Sequence, residues 1–342
     1  MRCARVADVN VAVIGLGLIG GSVLRALAAA GHRVSGYDAD PATRATARTA
    51  AAQAHSSARW QVTPTVRDTV ARAELVVLAV PLPAVGGVLD QLADAGYTGL
   101  VTDVTSVKTP VRDLVAQRLH RPPRRLAGFV GGHPMAGRET SGFGATDPAL
   151  FAGCAWVLCL EPRDTSMADW LELAALITPL GARVVPTTAA EHDRAVAAVS
   201  HVPHLLAAAL VSASADDPLA GTLAAGSFQD GTRVAATRPE LIAAMCGGNA
   251  EAVGPALDAV LDALRQARAA VDAEDPIAAL RDWLAPASAA RGAWPHRPGT
   301  ARELPARVDD LLALGRAGGW VTAVAADRRT VTAVRPLRPA PA

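Results

Sequence analysis

The chain has 342 residues, 51% of them hydrophobic and 19% charged, a balance that excludes a disordered or fibrous protein and leaves room for two domains. A net charge of +1 with no dense basic run excludes an electrostatic footprint for nucleic acid or an anionic membrane, so the expected partner is a small molecule. The four cysteines (Cys3, Cys154, Cys159, Cys246) form no metal-ligand or disulfide pattern, and glycines break the first apolar run, so a reduced cytoplasmic setting with no signal peptide or membrane span is expected.

Residues 9–14, Val-Asn-Val-Ala-Val-Ile, predict a short strand, followed by Gly15-Leu16-Gly17-Leu18-Ile19-Gly20 and an alanine-rich helix ending near residue 30. Strand, glycine turn and helix in succession are the context that a dinucleotide-binding fingerprint requires. Gly15 permits the turn, Gly17 admits a pyrophosphate to the backbone, and Gly20 lets the helix approach the strand; Leu16, Leu18 and Ile19 share the helix N-terminus with them. A second strand over residues 32–37 ends at Asp38, 18 residues after Gly20. A carboxylate there takes the adenosine ribose hydroxyls and repels a 2′-phosphate, which predicts NAD as cofactor rather than NADP.

The alternation continues with a strand over 75–80 stopped at Val80-Pro81, a helix over 84–95 and a strand over 100–104. Apolar strands separated by helices specify a parallel sheet covered on both faces, with ligands beyond its carboxyl ends. That rule turns Val80, Pro81 and the stretch Asp103-Val104-Thr105-Ser106-Val107-Lys108 toward the cofactor. Ser106 reads either as a cap of the helix starting at Thr109-Pro110 or as a ligand contact. Lys108 is the only lysine of the chain, which points to a need for a compact ammonium.

A strand over 126–130 leads into residues 131–143, which begin Gly-Gly-His-Pro-Met-Ala-Gly-Arg and read as an irregular glycine-rich loop around one imidazole, His133. A strand over 155–160, a helix over 167–180 and a strand over 183–185 complete an α/β domain, residues 1–188. Residues 189–290 read as helices alone. Ser200, His201 and His204 lie there on one stretch, with Pro203 expected to kink it. The two histidines suit a polar gap between helices or a metal pair; no carboxylate or cysteine accompanies them at ligand spacing, so no metal is expected. Residues 226–233, Gly-Ser-Phe-Gln-Asp-Gly-Thr-Arg, read as a polar turn in which Arg233 is either a bidentate carboxylate binder or a surface arginine. Residues 291–342 read as a partly irregular C-terminal appendage, with a short helix over 304–317, a hairpin of 320–325 with 329–334, and a mobile end at 335–342.

The order and spacing of these motifs resemble the prephenate/arogenate dehydrogenase family over roughly residues 9–284. They are the glycine turn, the 103–108 loop, Gly132-His133-Pro134-Met135-Ala136-Gly137, Ser200-His201-Val202-Pro203-His204 and Phe228-Gln229-Asp230-Gly231-Thr232-Arg233. The resemblance implies an N-terminal Rossmann-like NAD-binding domain followed by an all-α substrate and dimerisation domain, assembled as a homodimer. It implies NAD-dependent oxidative decarboxylation of prephenate to 4-hydroxyphenylpyruvate in tyrosine biosynthesis, or oxidation of arogenate directly to tyrosine. By the family pattern His133 removes the ring C4 hydroxyl proton, and Ser106 shares that hydroxyl and the nicotinamide. Arg233 holds a substrate carboxylate, and Ser200 and His204 hold the pyruvyl side chain, with His201 beside them. Arg138, which stands where other members carry a small hydroxyl residue, and Lys108 are further candidate cations. A β-hydroxyacid dehydrogenase or imine reductase would need a lysine on the first long helix of the second domain, and none follows Lys108. A non-catalytic NAD sensor would need the glycine turn but not Ser106, His133, His204 and Arg233 together.

Overall fold

The computed structural model describes residues 8–119, 128–138, 140–295 and 297–337. Cys3, the start of the strand expected over 126–130, and the last residues of the expected mobile end lie outside them. The chain divides into two compact units, Met1–His192 with Ala301–Val334, and Asp193–Thr300 with Arg335–Ala342.

The first unit holds two sheets. In the first, β1 (Asn10–Ile14), β2 (Arg33–Tyr37), β3 (Gln61–Val62), β4 (Leu75–Leu78), β5 (Leu100–Asp103) and β6 (Gly128–Val130) are all parallel, in the order β3-β2-β1-β4-β5-β6. The strand period sends Val11, Val13, Leu75 and Val77 to one face and Ala12, Ile14, Val76 and Leu78 to the other. Both sets are buried, the second beneath helices Leu82–Asp94 and Thr109–Leu119. Continuous apolar strands are the outcome of covering both faces.

The second sheet consists of β7 (Gly132–Pro134), β8 (Ala155–Cys159), β9 (Arg183–Thr187), β10 (Arg302–Pro305), β11 (Trp320–Val324) and β12 (Thr330–Val334), in the order β10-β12-β11-β9-β8-β7. Trp156, Leu158, Val184, Val321 and Val331 join the first-sheet residues Val11 and Val77 and the fully buried Trp170 of helix Met167–Ile177 in one core.

Three expectations need correction. Residues 132–134 are not irregular: they pair antiparallel with β8, His133 opposite Val157, although Gly-His-Pro has no intrinsic strand preference. Residues 301–334 are no appendage to a helical domain, because β11 pairs with β9 at Val321 and Val184 and covers an edge that would otherwise stand open. The helix there is Val308–Arg316, shorter than expected because residues 302–305 form β10; a Cβ on its Gly315 would fall 1.8 Å from Pro186 O, so only glycine permits this contact with β9. Third, residues 226–232 form a helix, Gly226–Thr232, followed by a 3-10 turn, Arg233–Ala236.

The second unit is helical. Its core joins Ala197, Val202 and Val253 with Leu205, Leu206, Leu257 and Val260 from helices Val202–Ser214 and Ala250–Val271. The irregularity expected at Pro203 is a π-helical turn, Ala197–His201, in which the Val202 N–H reaches the Ala197 carbonyl five residues back. The stretch Ala189–Ser214 is long and apolar enough to cross a membrane by length and composition alone; 28% of its apolar window is buried, and it carries buried Asp193 and His201. Many apolar side chains of this unit remain exposed, among them Leu219 at 65%, Leu223 at 70% and Ile277 at 83%.

Candidate active site

The glycine turn is shaped by requirements that differ at each position. Gly15 has φ +97°, and a Cβ on it would lie 2.4 Å from Ala79 O, beside Val80 and ahead of Pro81, which precedes helix Leu82–Asp94. A Cβ on Gly20 would lie 2.0 Å from Gly15 O. At Gly17 a Cβ would meet no protein atom within 4 Å, so close packing within the protein does not explain that glycine. Helix Leu18–Ala29 begins there without a side-chain cap, which leaves the N–H groups of its first turn, including those of Leu18 and Ile19, to a ligand anion. Asp38, at the end of β2, accepts from Leu16 N at 2.7 Å and from Asp40 N at 2.9 Å, tying the acid to the turn. Backbone room at Gly17, an uncapped helix start and an adjacent carboxylate fit a dinucleotide.

The carboxyl end of β5 is built around a buried ion pair. Lys108 and Asp103 side chains are both 0% exposed, and the ammonium donates to Asp103 Oδ2, to Thr105 Oγ1 at 3.1 Å and to Gly132 O at 2.6 Å. Asp103 also accepts from Thr105 N at 3.0 Å and Gly132 N at 3.1 Å. This network staples the 103–108 loop to the strand that carries His133. A Cβ on Gly132 would fall 2.5 Å from Asp103 O, so the approach of β7 to β5 requires glycine. Lys108 is thus consumed inside the protein and takes no substrate carboxylate, contrary to its expected role as a substrate cation. An ammonium offers three donors in a compact head, whereas a planar guanidinium would not fit these acceptors. Ser106 is half-buried in the same loop, two residues before Lys108.

His133 is half-buried on β7, and its Nδ1 lies 2.9 Å from Nε2 of His192, a residue only 2% exposed; the rings meet edge to face at 5.1 Å. His192 stands in helix Ala189–Val196 and was not among the residues singled out from sequence. Its only available signal was an imidazole one turn into a helix that follows a strand end. Two side chains restrain that helix start: Glu161 accepts from Ala189 N at 2.6 Å, and Glu191 accepts from Thr188 Oγ1 at 2.9 Å and pairs with Arg316 at 2.7 Å. Arg138 is engaged by Asp147 at 2.5 Å, and Asp147 N in turn bonds Ser22 Oγ on helix Leu18–Ala29.

In the helical unit, His204 Nδ1 lies 3.2 Å from Val234 O. A carbonyl only accepts, so Nδ1 of His204 is the donor in this contact. The same bond ties it to the 3-10 turn that begins with the exposed Arg233, and Ser200 precedes it by one helical turn. His201 is 0% exposed and bonds Asn249 at 3.1 Å, so it fills the interior of the unit instead of presenting itself to substrate. Among the described residues no three His, Cys, Asp or Glu side chains gather as metal ligands.

Residues 23–186 match the family model described as prephenate dehydrogenase, nucleotide-binding domain, and residues 188–285 that described as prephenate dehydrogenase, dimerization domain. The chain is 33% identical over 274 residues to a cyclohexadienyl dehydrogenase of Zymomonas mobilis, a match spanning 78% of this chain and 89% of that protein. It is 33% identical over 244 residues to a prephenate dehydrogenase of Bacillus subtilis, spanning 68% and 62%. The crystal structure of Synechocystis arogenate dehydrogenase superposes with a TM-score of 0.70 at 28% identity, over 83% of this chain and 99% of that one.

Proposed function

Because this chain belongs to the prephenate dehydrogenase family, we propose that it catalyses NAD-dependent oxidative decarboxylation of prephenate to 4-hydroxyphenylpyruvate. The observation that carries this reading is His133, half-buried beside the carboxyl end of β5 and held there through Gly132 by Lys108 and Asp103. Bound NAD supplies the hydride acceptor. Leu18 and Ile19 N–H groups and Gly17 hold its pyrophosphate, and Asp38 holds the ribose hydroxyls and disfavours a 2′-phosphate. His133 Nε2 takes the proton of the ring C4 hydroxyl, which pushes the carbon–hydrogen electron pair out as hydride. Ser106 bonds the same hydroxyl. Loss of carbon dioxide then restores ring aromaticity. Arg233 pairs with a substrate carboxylate, while His204, through its Nε2, and Ser200 bind polar groups of the side chain. The protein acts as a homodimer in the cytoplasm. The match to a dimerization domain and the exposed apolar side chains of the helical unit support that assembly.

A second reading, oxidation of arogenate to tyrosine, is favoured by the likeness to a cyclohexadienyl and an arogenate dehydrogenase. Assays with prephenate and arogenate, each with NAD and NADP, decide between them: prephenate with NAD is expected to be turned over fastest. Absence of reduced cofactor with either substrate would overturn both readings.

A further inference from the structure

The bond between His133 and His192 contains one proton, and where that proton resides determines what His133 can do. Each neutral imidazole has one N–H and one lone pair, and the 2.9 Å contact joins His133 Nδ1 to His192 Nε2. Two arrangements satisfy it. In one, His192 Nε2 donates, His133 carries its own proton on Nε2, and that nitrogen cannot accept another. In the other, His133 Nδ1 donates to the His192 lone pair, His133 Nε2 keeps its lone pair, and His192 keeps its proton on Nδ1. Only the second leaves a base.

We propose that His192 is a positioning residue that holds His133 in the Nδ1–H tautomer and accepts its hydrogen bond throughout the proton transfer. This rests on the reading of His133 as the base. Proton arrival at His133 Nε2 leaves the Nδ1–H···Nε2 bond intact and makes it charge-assisted, since the donor ring becomes an imidazolium. The proton moves from substrate oxygen to Nε2, and His192 gains and loses none. A neutral acceptor orients the ring as a carboxylate would, without a buried negative charge beside the hydride donor. The buried, helix-borne position of His192 makes the device rigid: Glu161 and Glu191 restrain the helix start, and Arg316 holds Glu191 from the C-terminal segment. That segment thereby supports the base through two intermediaries.

The test uses the full-length protein with NAD and 15N-labelled histidine. Two-bond 1H–15N correlations report the tautomer of each ring, and His133 is expected to show a protonated Nδ1 and a bare Nε2. In His192→Phe, which keeps a ring but removes the lone pair, His133 is expected to revert to the Nε2–H form that free imidazole side chains prefer. Its kcat should fall roughly 10–100-fold, no more than the lower end of what positioned general-base catalysis contributes, with KM for both substrates within about twofold. His192→Gln, whose amide oxygen can replace the Nε2 lone pair, should recover most of the rate. An Nε2–H tautomer at His133 in the wild-type protein, or an undiminished kcat in His192→Phe, would overturn the inference. A wild-type protein inactive on prephenate and arogenate would defeat the functional reading instead, and the tautomer measurement would still decide this one.

Discussion

Replacing Lys108 with methionine removes the ammonium and keeps most of the side-chain volume. Asp103 then loses its cation at 0% exposure. Breaking a buried pair from one side costs about 3–5 kcal/mol. Thr105 N and Oγ1 and Gly132 N still donate to the carboxylate, which keeps the loss near the lower figure, while Gly132 O loses its donor. A loss of about 3 kcal/mol in a unit of this size corresponds to a melting temperature lower by roughly 6–12 °C. Circular dichroism melts of wild-type, Lys108→Met, Lys108→Arg and Lys108→Met/Asp103→Asn proteins would measure it. Lys108→Arg should also destabilise, since its larger head has no room among these acceptors, and the double variant should recover part of the loss because the stranded charge is gone. If Lys108→Met melts within about 1 °C of wild type, the pair does not hold β7 against β5 and the explanation for the chain's sole lysine fails.

The glycine turn offers a contrast between neighbours. Gly20→Ala should destabilise the fold, because its Cβ would overlap Gly15 O, whereas Gly17→Ala should melt like wild type yet raise the Michaelis constant for NAD. Equal effects of the two on stability would contradict the assigned roles. Asp38→Ser should narrow the preference for NAD over NADP in kcat/KM, and an unchanged ratio would remove Asp38 from the ribose site. Burial pushes the Glu191 carboxyl up, but Arg316 and the Thr188 groups outweigh it and hold it below its ordinary value of 4.5. A depressed carboxylate stabilises above its unfolded-state value and loses that contribution as pH falls through its folded value. Arg316→Gln should therefore lower stability at neutral pH, by no more than about 1 kcal/mol for a partly exposed pair, and the difference from wild type should shrink as the pH falls below the ordinary carboxylate value of 4.5. A difference that persists in acid would mean the arginine acts through packing.

What the chain announces locally is the nucleotide half of the protein. A β-branched run, three spaced glycines, an alanine helix and an acid at the next strand end are short-range signals, because backbone geometry at Gly15 and Gly20 tolerates no other residue. Lys108 was conspicuous by composition, but its role was not readable, since the Gly132 carbonyl that it holds lies 24 residues away. His133 was likewise visible as a lone imidazole among glycines, whereas the strand that holds it was not. Gly-His-Pro becomes β7 only because β8 offers a ladder.

Sequence by itself determined the motifs and their order, hence a dinucleotide fold followed by helices, because turns, caps and strand periodicity act over a few residues. Tertiary structure alone decided that residues 301–334 return to finish the second sheet, that His201 is interior, and that His192 stands beside His133. Those outcomes depend on which edges and cavities remain open after the local elements form, and contacts spanning 59 residues, as between the two imidazoles, leave no periodic trace in the chain.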